Sequence, residues 1–130
     1  MNLDKQIQDT LIGIVRKAGQ EIVMPSFRQL SATDVETKSS LTDLVTIADK
    51  ASEAFITKEI QNAFPDWDIV GEEAVAEDPT TTDKIATADT CVIIDPIDGT
   101  WNYAHGLSEF GMILAVVVKG VTRFGLLYDP

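Results

Sequence analysis

Apolar residues recur along this chain with helical spacing in two long segments and in dense, strand-like runs elsewhere. Between residues 3 and 24 an apolar residue returns at three- and four-residue steps, which indicates an amphipathic helix with one buried face. The residues of this face are Leu3, Ile7, Leu11, Ile14, Ala18 and Ile22. Pro25 follows and is expected to break or kink the helix, because proline lacks the N–H group that a helix uses.

A second helix is predicted from about Thr46 to Phe64, ending at Pro65. Thr46 followed three residues later by Asp49 resembles a capping box, with Asp in place of the usual Glu or Gln. The spacing alone explains Asp49 as a first-turn acid favoured by the helix dipole. The predicted buried face carries Leu44, Ile47, Ala51, Phe55, Ile60 and Phe64.

Strands are predicted where apolar residues cluster between turn formers. The segments are residues 68–71, residues 91–94, and an apolar hairpin of residues 110–118 and 121–128 with both arms substantially buried. The polar residues 31–43 predict a short hairpin or irregular crossing, and residues 74–90 predict a loop or poorly ordered flap. The whole pattern predicts an α+β fold, with helices packed on a mainly antiparallel sheet.

Composition narrows the possible functions. The 130 residues suffice for one domain with a core, and 45% of them are apolar. The formal net charge of -11 argues against binding a nucleic-acid backbone. We find no apolar run of membrane-spanning length and no signal-peptide core, so no membrane partner is expected. The single cysteine, Cys91, excludes an internal disulfide and fits a cytoplasmic location.

The stretch Asp-Pro-Ile-Asp-Gly-Thr-Trp-Asn, residues 95–102, concentrates the candidate chemistry. It places two carboxylates, Asp95 and Asp98, where a buried strand ends. Gly99 permits backbone geometry that other residues resist, and Thr100 could open a helical turn with outward-facing N–H groups. Carboxylates beside such N–H groups suggest a hard cation bridged to a phosphate.

Three acids near predicted strand ends, Glu72, Asp95 and Asp98, can ligate two cations if they converge. The carbonyl of Ile97 would be a further oxygen ligand. Oxygen ligands without a Cys or His cluster favour Mg²⁺ or Mn²⁺ over Zn²⁺. An isolated Asp-x-x-Asp-Gly is more often a plain acidic turn, but the octapeptide after a strand is far more specific. The only histidine, His105, is expected to make local hydrogen bonds.

Three stretches together resemble the inositol monophosphatase family, Mg²⁺-dependent and lithium-sensitive phosphatases. They lie in residues 38–49 (Lys38-Ser39-Ser40, then Asp43-Leu44-Val45-Thr46 to Asp49), residues 71–73 and residues 95–102. The resemblance covers essentially the whole chain. Relatives in this group also act on sugar bisphosphates and nucleotide bisphosphates.

The resemblance implies roles for individual residues. Glu72, Asp95 and the Ile97 carbonyl would bind the first Mg²⁺, Asp95 and Asp98 the second, and Glu72 and Glu73 would lie near a weaker third. Thr100, oriented by Asp49, would help activate the attacking water, and the Gly99 and Thr100 amides would bind phosphate beside Asp98. Lys38, which spacing alone explains as a solvated lysine, would lie near the metal and phosphate.

The function implied is a Mg²⁺-dependent phosphomonoesterase that hydrolyses inositol monophosphate, or a similar small phosphate ester, with metal-activated water. A nucleotide- or sugar-bisphosphate phosphatase, or an inactive metal-binding fragment, stays open as an alternative. Family members are considerably longer, and their C-terminal half supplies another aspartate ligand and most substrate contacts. The 130 residues therefore match an N-terminal α+β domain of a layered sugar-phosphatase-like fold. A homodimer, or association with the missing half, is expected.

Overall fold

The computed structural model describes residues 3–38 and 44–130. Ser39, Ser40 and Asp43 of the first motif stretch lie outside the described residues. The α-helices are α1 (Lys5–Ala18), α2 (Met24–Ser26), α3 (Ile47–Ala63), α4 (Glu72–Glu77), α5 (Asp83–Thr87) and α6 (Thr100–Ala104). The strands are β1 (Val35–Thr37), β2 (Leu44–Thr46), β3 (Asp68–Gly71), β4 (Thr90–Asp98), β5 (Gly111–Val118) and β6 (Val121–Tyr128).

The first helical region begins at Lys5, two residues later than predicted, and continues past the proline to Ser26. A π-helical segment, Gly19–Val23, joins α1 to α2, and the N–H of Met24 bonds to the carbonyl of Gly19 five residues earlier. Pro25 lies in the first turn of α2, where a missing N–H costs little. The proline is therefore accommodated by the wider turn before it. The predicted apolar face does point inward, with Leu11 and Ala18 fully buried.

Helix α3 begins and ends as predicted, with Thr46 and Asp49 forming the capping box. The predicted buried face is wrong at Ile47, which is 55% exposed, and at Ala51, which is also exposed, whereas Ile60 is buried as predicted. The helix is rotated so that polar residues face inward. Its buried residues are Ala48, Asp49, Ser52, Glu53, Ile56 and Ile60. Turning acids toward the protein interior is a cost that a purely structural helix would avoid.

In the described residues, the main sheet has the strand order β3-β4-β5-β6, with β3 parallel to β4 and the other pairs antiparallel. Strands β1 and β2 form a separate antiparallel pair, and β2 lies beyond residues 31–43, where a short hairpin or irregular crossing was predicted. Helix α3 lies against β4, and α1 lies against α3 and β6. The mainly antiparallel α+β architecture is therefore confirmed.

Two predictions about the remaining segments are wrong. Residues 74–90 are mostly helical, because α4 continues to Glu77 and a 3₁₀ turn, Pro79–Thr82, leads into α5. Strand β6 is also less buried than predicted. It lies at the edge of the sheet, and Leu127 on it is 73% exposed.

Among the described residues, no helix has the length and apolar character needed to cross a membrane.

Candidate active site

Parallel pairing of β3 with β4 brings two predicted ligands to the same sheet edge. Gly71, the last residue of β3, pairs with Ile94 of β4, so Glu72, which follows β3, lies beside Asp95 of β4. Asp95 is partly buried beside the Glu72 carboxylate. Burial, followed by the influence of Glu72 and Asp98, raises the pKa of Asp95 to about 8. The structure thus places the Glu72 carboxylate beside Asp95, with Asp98 near enough to influence the pKa of Asp95.

A β-bulge places Asp95 and Asp98 near each other. Residues three apart on a regular strand point to opposite faces. Here Asp95 pairs with Ile113 while Asp98 pairs with Gly111, so β4 carries one extra residue between these pairs. The bulge moves Asp98 back toward Asp95, and Asp98 is exposed at the end of the strand. The predicted turn between the two acids is therefore a bulged strand end.

Thr100 connects the octapeptide to helix α3. Its hydroxyl lies 2.8 Å from Asp49 Oδ1 and 2.9 Å from the carbonyl oxygen of Ile97. Both partners are acceptors and the hydroxyl has one proton, so its oxygen lone pairs remain available to a further donor. Asp49 is fully buried and also accepts hydrogen bonds from the backbone N–H and hydroxyl of Thr46. Burial raises the pKa of Asp49, and these hydrogen bonds partly offset it.

Gly99 adopts a left-handed conformation with φ of 89°, a backbone geometry that other residues resist. A Cβ at this position would lie 3.0 Å from the carbonyl oxygen of Glu109. Gly120 provides a matched position, since its φ is 78° and a Cβ would meet nothing within 4 Å. Comparing an alanine substitution at Gly99 with one at Gly120 therefore separates the cost of backbone strain from the cost of steric contact.

We expect Gly99→Ala to lower the free energy of unfolding by roughly 2–3 kcal/mol, and Gly120→Ala by only about 1 kcal/mol. Both variants place a Cβ on a left-handed residue, but the first also pushes against the backbone of Glu109. Urea unfolding of both variants would measure the difference. Equal losses would show that the contact with Glu109 yields without cost.

Lys38 is not a solvated lysine. Its ammonium group lies 3.3 Å from Glu73 Oε1 and 3.6 Å from Glu72 Oε1, and its side chain is only 16% exposed. Burial raises the pKa of Glu73 to about 7 even though Lys38 acts in the opposite direction. An open cleft of about 650 Å³ borders Lys38, Glu72 and Glu73. Lys38 therefore contributes positive charge at the mouth of an acidic site.

Glu53 is a site residue that the sequence analysis missed. It is 9% exposed, and its carboxylate accepts hydrogen bonds from the N–H groups of Glu73 and Ala74 at 2.8 and 3.1 Å. Ser52 beside it has a buried hydroxyl without a hydrogen-bond partner among the described residues. The available signal was the four-residue spacing of Asp49 and Glu53, which puts both acids on one helix face.

The residues at this edge fit a divalent cation by their chemistry. Asp95 Oδ1 is buried and has no hydrogen-bond partner in the described part of the chain. A buried carboxylate oxygen without a partner lowers the stability of the fold unless a cation or a hydrogen-bond donor binds it. The nearby donors are oxygens, the set that Mg²⁺ prefers. No ready-made group of three acidic, histidine or cysteine side chains is gathered around a metal position within residues 3–38 and 44–130.

The position of the Glu72 side chain partly explains why these acids do not surround one point. Its side chain is 42% exposed and is paired with Lys38. Ile97 is buried, and its carbonyl accepts the Thr100 hydrogen bond, which leaves one lone pair for a further ligand. His105 makes the expected local bond, with Nδ1 2.7 Å from the Trp101 carbonyl oxygen. It stacks on the Trp101 ring and stands outside the acidic cluster.

Fold and site together define an α+β protein with acidic residues converging at strand ends. The chain matches the model of the inositol monophosphatase family over residues 3–130, and it belongs to that family. It is 39% identical to an inositol-1-monophosphatase of Bacillus subtilis over 88% of this chain and 40% of the relative. It is 35% identical to a fructose-1,6-bisphosphatase/inositol-1-monophosphatase of Thermotoga maritima, over 94% of this chain and 43% of that protein.

A third relative is not named as a phosphatase. The Nus factor SuhB of Haemophilus influenzae is 39% identical over 92% of this chain and 42% of its own length. Among solved structures, a Thermotoga maritima IMPase matches with a TM-score of 0.81 and 34% identity, covering 96% of this chain and 44% of that one. The chain thus spans about 40% of the length of the curated relatives it matches. The family prediction is confirmed.

Proposed function

We propose that this chain forms the cation- and phosphate-binding part of a Mg²⁺-dependent phosphomonoesterase acting on inositol monophosphate or a similar small ester. One observation carries the proposal. The unpartnered Oδ1 of Asp95 lies at the same sheet edge as Glu72, and Thr100, held by Asp49, follows it five residues later. This combination provides a place for a cation beside an oriented hydroxyl.

The proposed cation ligands are Glu72, Asp95, Asp98 and the carbonyl of Ile97, with Glu73 beside a third, weaker position. A bound Mg²⁺, or Mn²⁺, would neutralise charge on the phosphoryl oxygens and favour ionisation of water near neutral pH. Once a cation balances the negative charge of these acids, they no longer repel a small phosphate ester. Lys38 already provides one positive charge at the cleft, within 3.6 Å of Glu72 and 3.3 Å of Glu73.

Thr100 is proposed to orient the attacking water. Its single proton is directed to Asp49 or to the Ile97 carbonyl, so the hydroxyl oxygen is left to accept a hydrogen bond from water. Because Asp49 is fully buried and fixed by Thr46, the orientation of the Thr100 hydroxyl is set before substrate arrives. The proposed reaction is direct in-line attack on phosphorus, without a covalent phosphoenzyme.

The phosphate itself is proposed to bind at the start of α6. Gly99 has no side chain and lies in the left-handed conformation, so its N–H and that of Thr100 are approachable by a ligand. Asp98, which is exposed directly before Gly99 in the chain, is proposed to share a cation with the phosphate.

A partner polypeptide is proposed to complete the active enzyme. The matched relatives are more than twice as long as this chain, and the exposed edge strand β6 offers apolar side chains such as Leu127. A polypeptide corresponding to the rest of those relatives is the proposed occupant of that edge. The single cysteine, Cys91, is buried and free, which is consistent with the proposed cytoplasmic location.

The proposed function is tested by phosphate release from inositol 1-phosphate, with and without Mg²⁺ and with Li⁺ added. The chain is assayed alone and mixed with a polypeptide corresponding to the C-terminal part of the Bacillus subtilis relative. Mg²⁺-dependent release that Li⁺ suppresses is the expected result for the mixture. Release by the chain alone at the same rate would instead indicate a site completed by a second copy. No release in either case, together with no Mg²⁺ binding, would contradict the proposal.

A bisphosphatase is the second candidate. A relative 35% identical to this chain is named for both fructose-1,6-bisphosphatase and inositol-1-monophosphatase activity. The residues of this site are proposed to contact the phosphate and the cation, which both substrate classes share. A panel of inositol 1-phosphate, fructose 1,6-bisphosphate and a nucleotide bisphosphate, assayed with the completed enzyme, distinguishes the two functions by their relative kcat/KM.

We expect the thermal stabilisation by Mg²⁺ to increase as pH rises from 5 to 9. Without cation, Asp95 and Glu73 have pKa values raised by burial to about 8 and about 7, above their ordinary values of 3.8 and 4.5. The folded state therefore binds more protons than the unfolded state in this range, and its stability falls as pH rises. A cation replaces those protons. Melting temperatures with and without Mg²⁺ measure the widening gap, and a gap that narrows with pH would contradict it.

A further inference from the structure

Helix α3 holds the start of α4 through one buried carboxylate. Glu53 accepts hydrogen bonds from the N–H of Glu73 at 2.8 Å and from the N–H of Ala74 at 3.1 Å, with one carboxylate oxygen for each. These are N–H groups of the first turn of α4, which lack partners inside the helix. The side chain is 9% exposed, so water cannot easily replace it.

Gly71 allows this approach. Its backbone, with φ of -96° and ψ of 149°, is one that any residue adopts, so conformational freedom does not explain a glycine here. A Cβ at residue 71 would instead overlap the carboxylate of Glu53. The glycine before the two glutamates therefore provides space for Glu53.

The same face of α3 reaches both parts of the site. Asp49 holds Thr100, and Glu53, one turn later, holds the backbone of Glu73. Since Glu72 precedes Glu73 directly, the orientation of that peptide determines where both glutamate side chains leave the backbone. A carboxylate that binds two adjacent N–H groups fixes this orientation more tightly than a cap with one acceptor atom.

We propose that Glu53 is a positioning residue for the cation site, which sets the backbone of Glu72 and Glu73 and thereby the affinity for Mg²⁺. The inference rests on the proposed function, in which those glutamates are cation ligands. Glu53 itself is proposed to contact neither cation nor substrate. Its effect passes through two backbone hydrogen bonds and the close packing against Gly71.

The main test is Glu53→Gln, titrated with Mg²⁺ alone by calorimetry. The amide keeps the shape of the side chain but has one acceptor oxygen, and its NH₂ group would face an N–H of α4. We expect the Kd for Mg²⁺ to rise roughly 10–100-fold, the usual effect of losing a residue that orients a ligand. The amide proton resonances of Glu73 and Ala74 should move upfield and exchange faster. Glu59→Gln, elsewhere on α3, is the matched control.

A second variant keeps the test informative if Glu53→Gln fails to fold. Gly71→Ala keeps the Glu53 carboxylate but displaces it with a Cβ, so it should reproduce the loss of affinity. Since both changes break the same contact, the double variant should bind Mg²⁺ about as weakly as either single one. If the two amide resonances shift while the Kd stays within twofold, Glu53 is structural only and the proposal is overturned. If the wild type binds no Mg²⁺, the proposed function itself fails, and this inference with it.

Discussion

Replacing Asp95 with asparagine is expected to abolish the response to Mg²⁺ and, at the same time, to stabilise the cation-free protein. Asp95 lies beside Glu72, and burial with that neighbour raises the pKa of Asp95 to about 8. Asparagine has nearly the same shape, carries no charge at any pH, and can donate a hydrogen bond to Glu72. Loss of the proposed shared ligand of two cations should cost more than the 10–100-fold typical of residues behind a ligand.

The two effects are measured on the same samples. Melting temperatures at pH 9 without Mg²⁺ should be higher for Asp95→Asn than for the wild type, because the unfavourable charge is gone. Added Mg²⁺ should raise the melting temperature of the wild type only, and phosphate release by the completed enzyme should fall to background. Asp66→Asn, an exposed acid after α3, is the control and should leave all three readouts unchanged. Full turnover by Asp95→Asn would remove Asp95 from the cation site.

The second large effect is expected from Thr100→Val. Valine matches the shape of threonine but removes the hydroxyl that lies 2.8 Å from Asp49 Oδ1 and 2.9 Å from the Ile97 carbonyl oxygen. We expect kcat to fall roughly 10²–10⁴-fold, the range for losing a group that assists proton transfer. Asp49 would lose one of its partners in the interior, at a cost of about 1–3 kcal/mol in unfolding free energy. The Kd for Mg²⁺ should change little, since the Thr100 side chain is not a proposed ligand.

Thr100→Ser is the matched control because it keeps the hydroxyl and removes only the methyl group. It should retain most of the turnover and the hydrogen bond to Asp49. Single-turnover phosphate release separates the chemical step from product release. If valine and serine variants reduce kcat equally, packing of the methyl group, rather than the hydroxyl, accounts for the role of Thr100.

The sequence predicted the strand before Asp95 because strand signals are local, but β4 continues to Asp98, through the residues where a turn was predicted. The apolar run before Asp95 and the left-handed Gly99 depend on neighbouring residues, and the structure has both. The convergence of Glu72 and Asp95 required one further step. Glu72 directly follows β3 and Asp95 lies in β4, and the parallel register of the two strands brings these acids side by side. That register was not predicted, since no local pattern specifies which strands become neighbours.

The rotation of α3 could not be predicted from apolar spacing. A periodicity analysis places apolar residues inward, yet this helix turns Asp49 and Glu53 inward and leaves Ile47 55% exposed. The two acids are satisfied by Thr100, Glu73 and Ala74, which lie 20 to 51 positions away along the chain. Hydrogen bonds over such distances in sequence can override the hydrophobic pattern, and a functional site is where this conflict is expected.

The position of β6 at the edge of its sheet also affects how copies of this chain behave toward one another. An edge strand presents unpaired backbone groups along one side, and β6 contains few charges among residues 121–128. Natural edge strands often carry lysines or prolines that discourage pairing between molecules. Here the formal net charge of -11 supplies that repulsion over the whole molecule. Near the sequence pI of about 4.3 the repulsion disappears, so acidification should favour aggregation through strand-to-strand pairing.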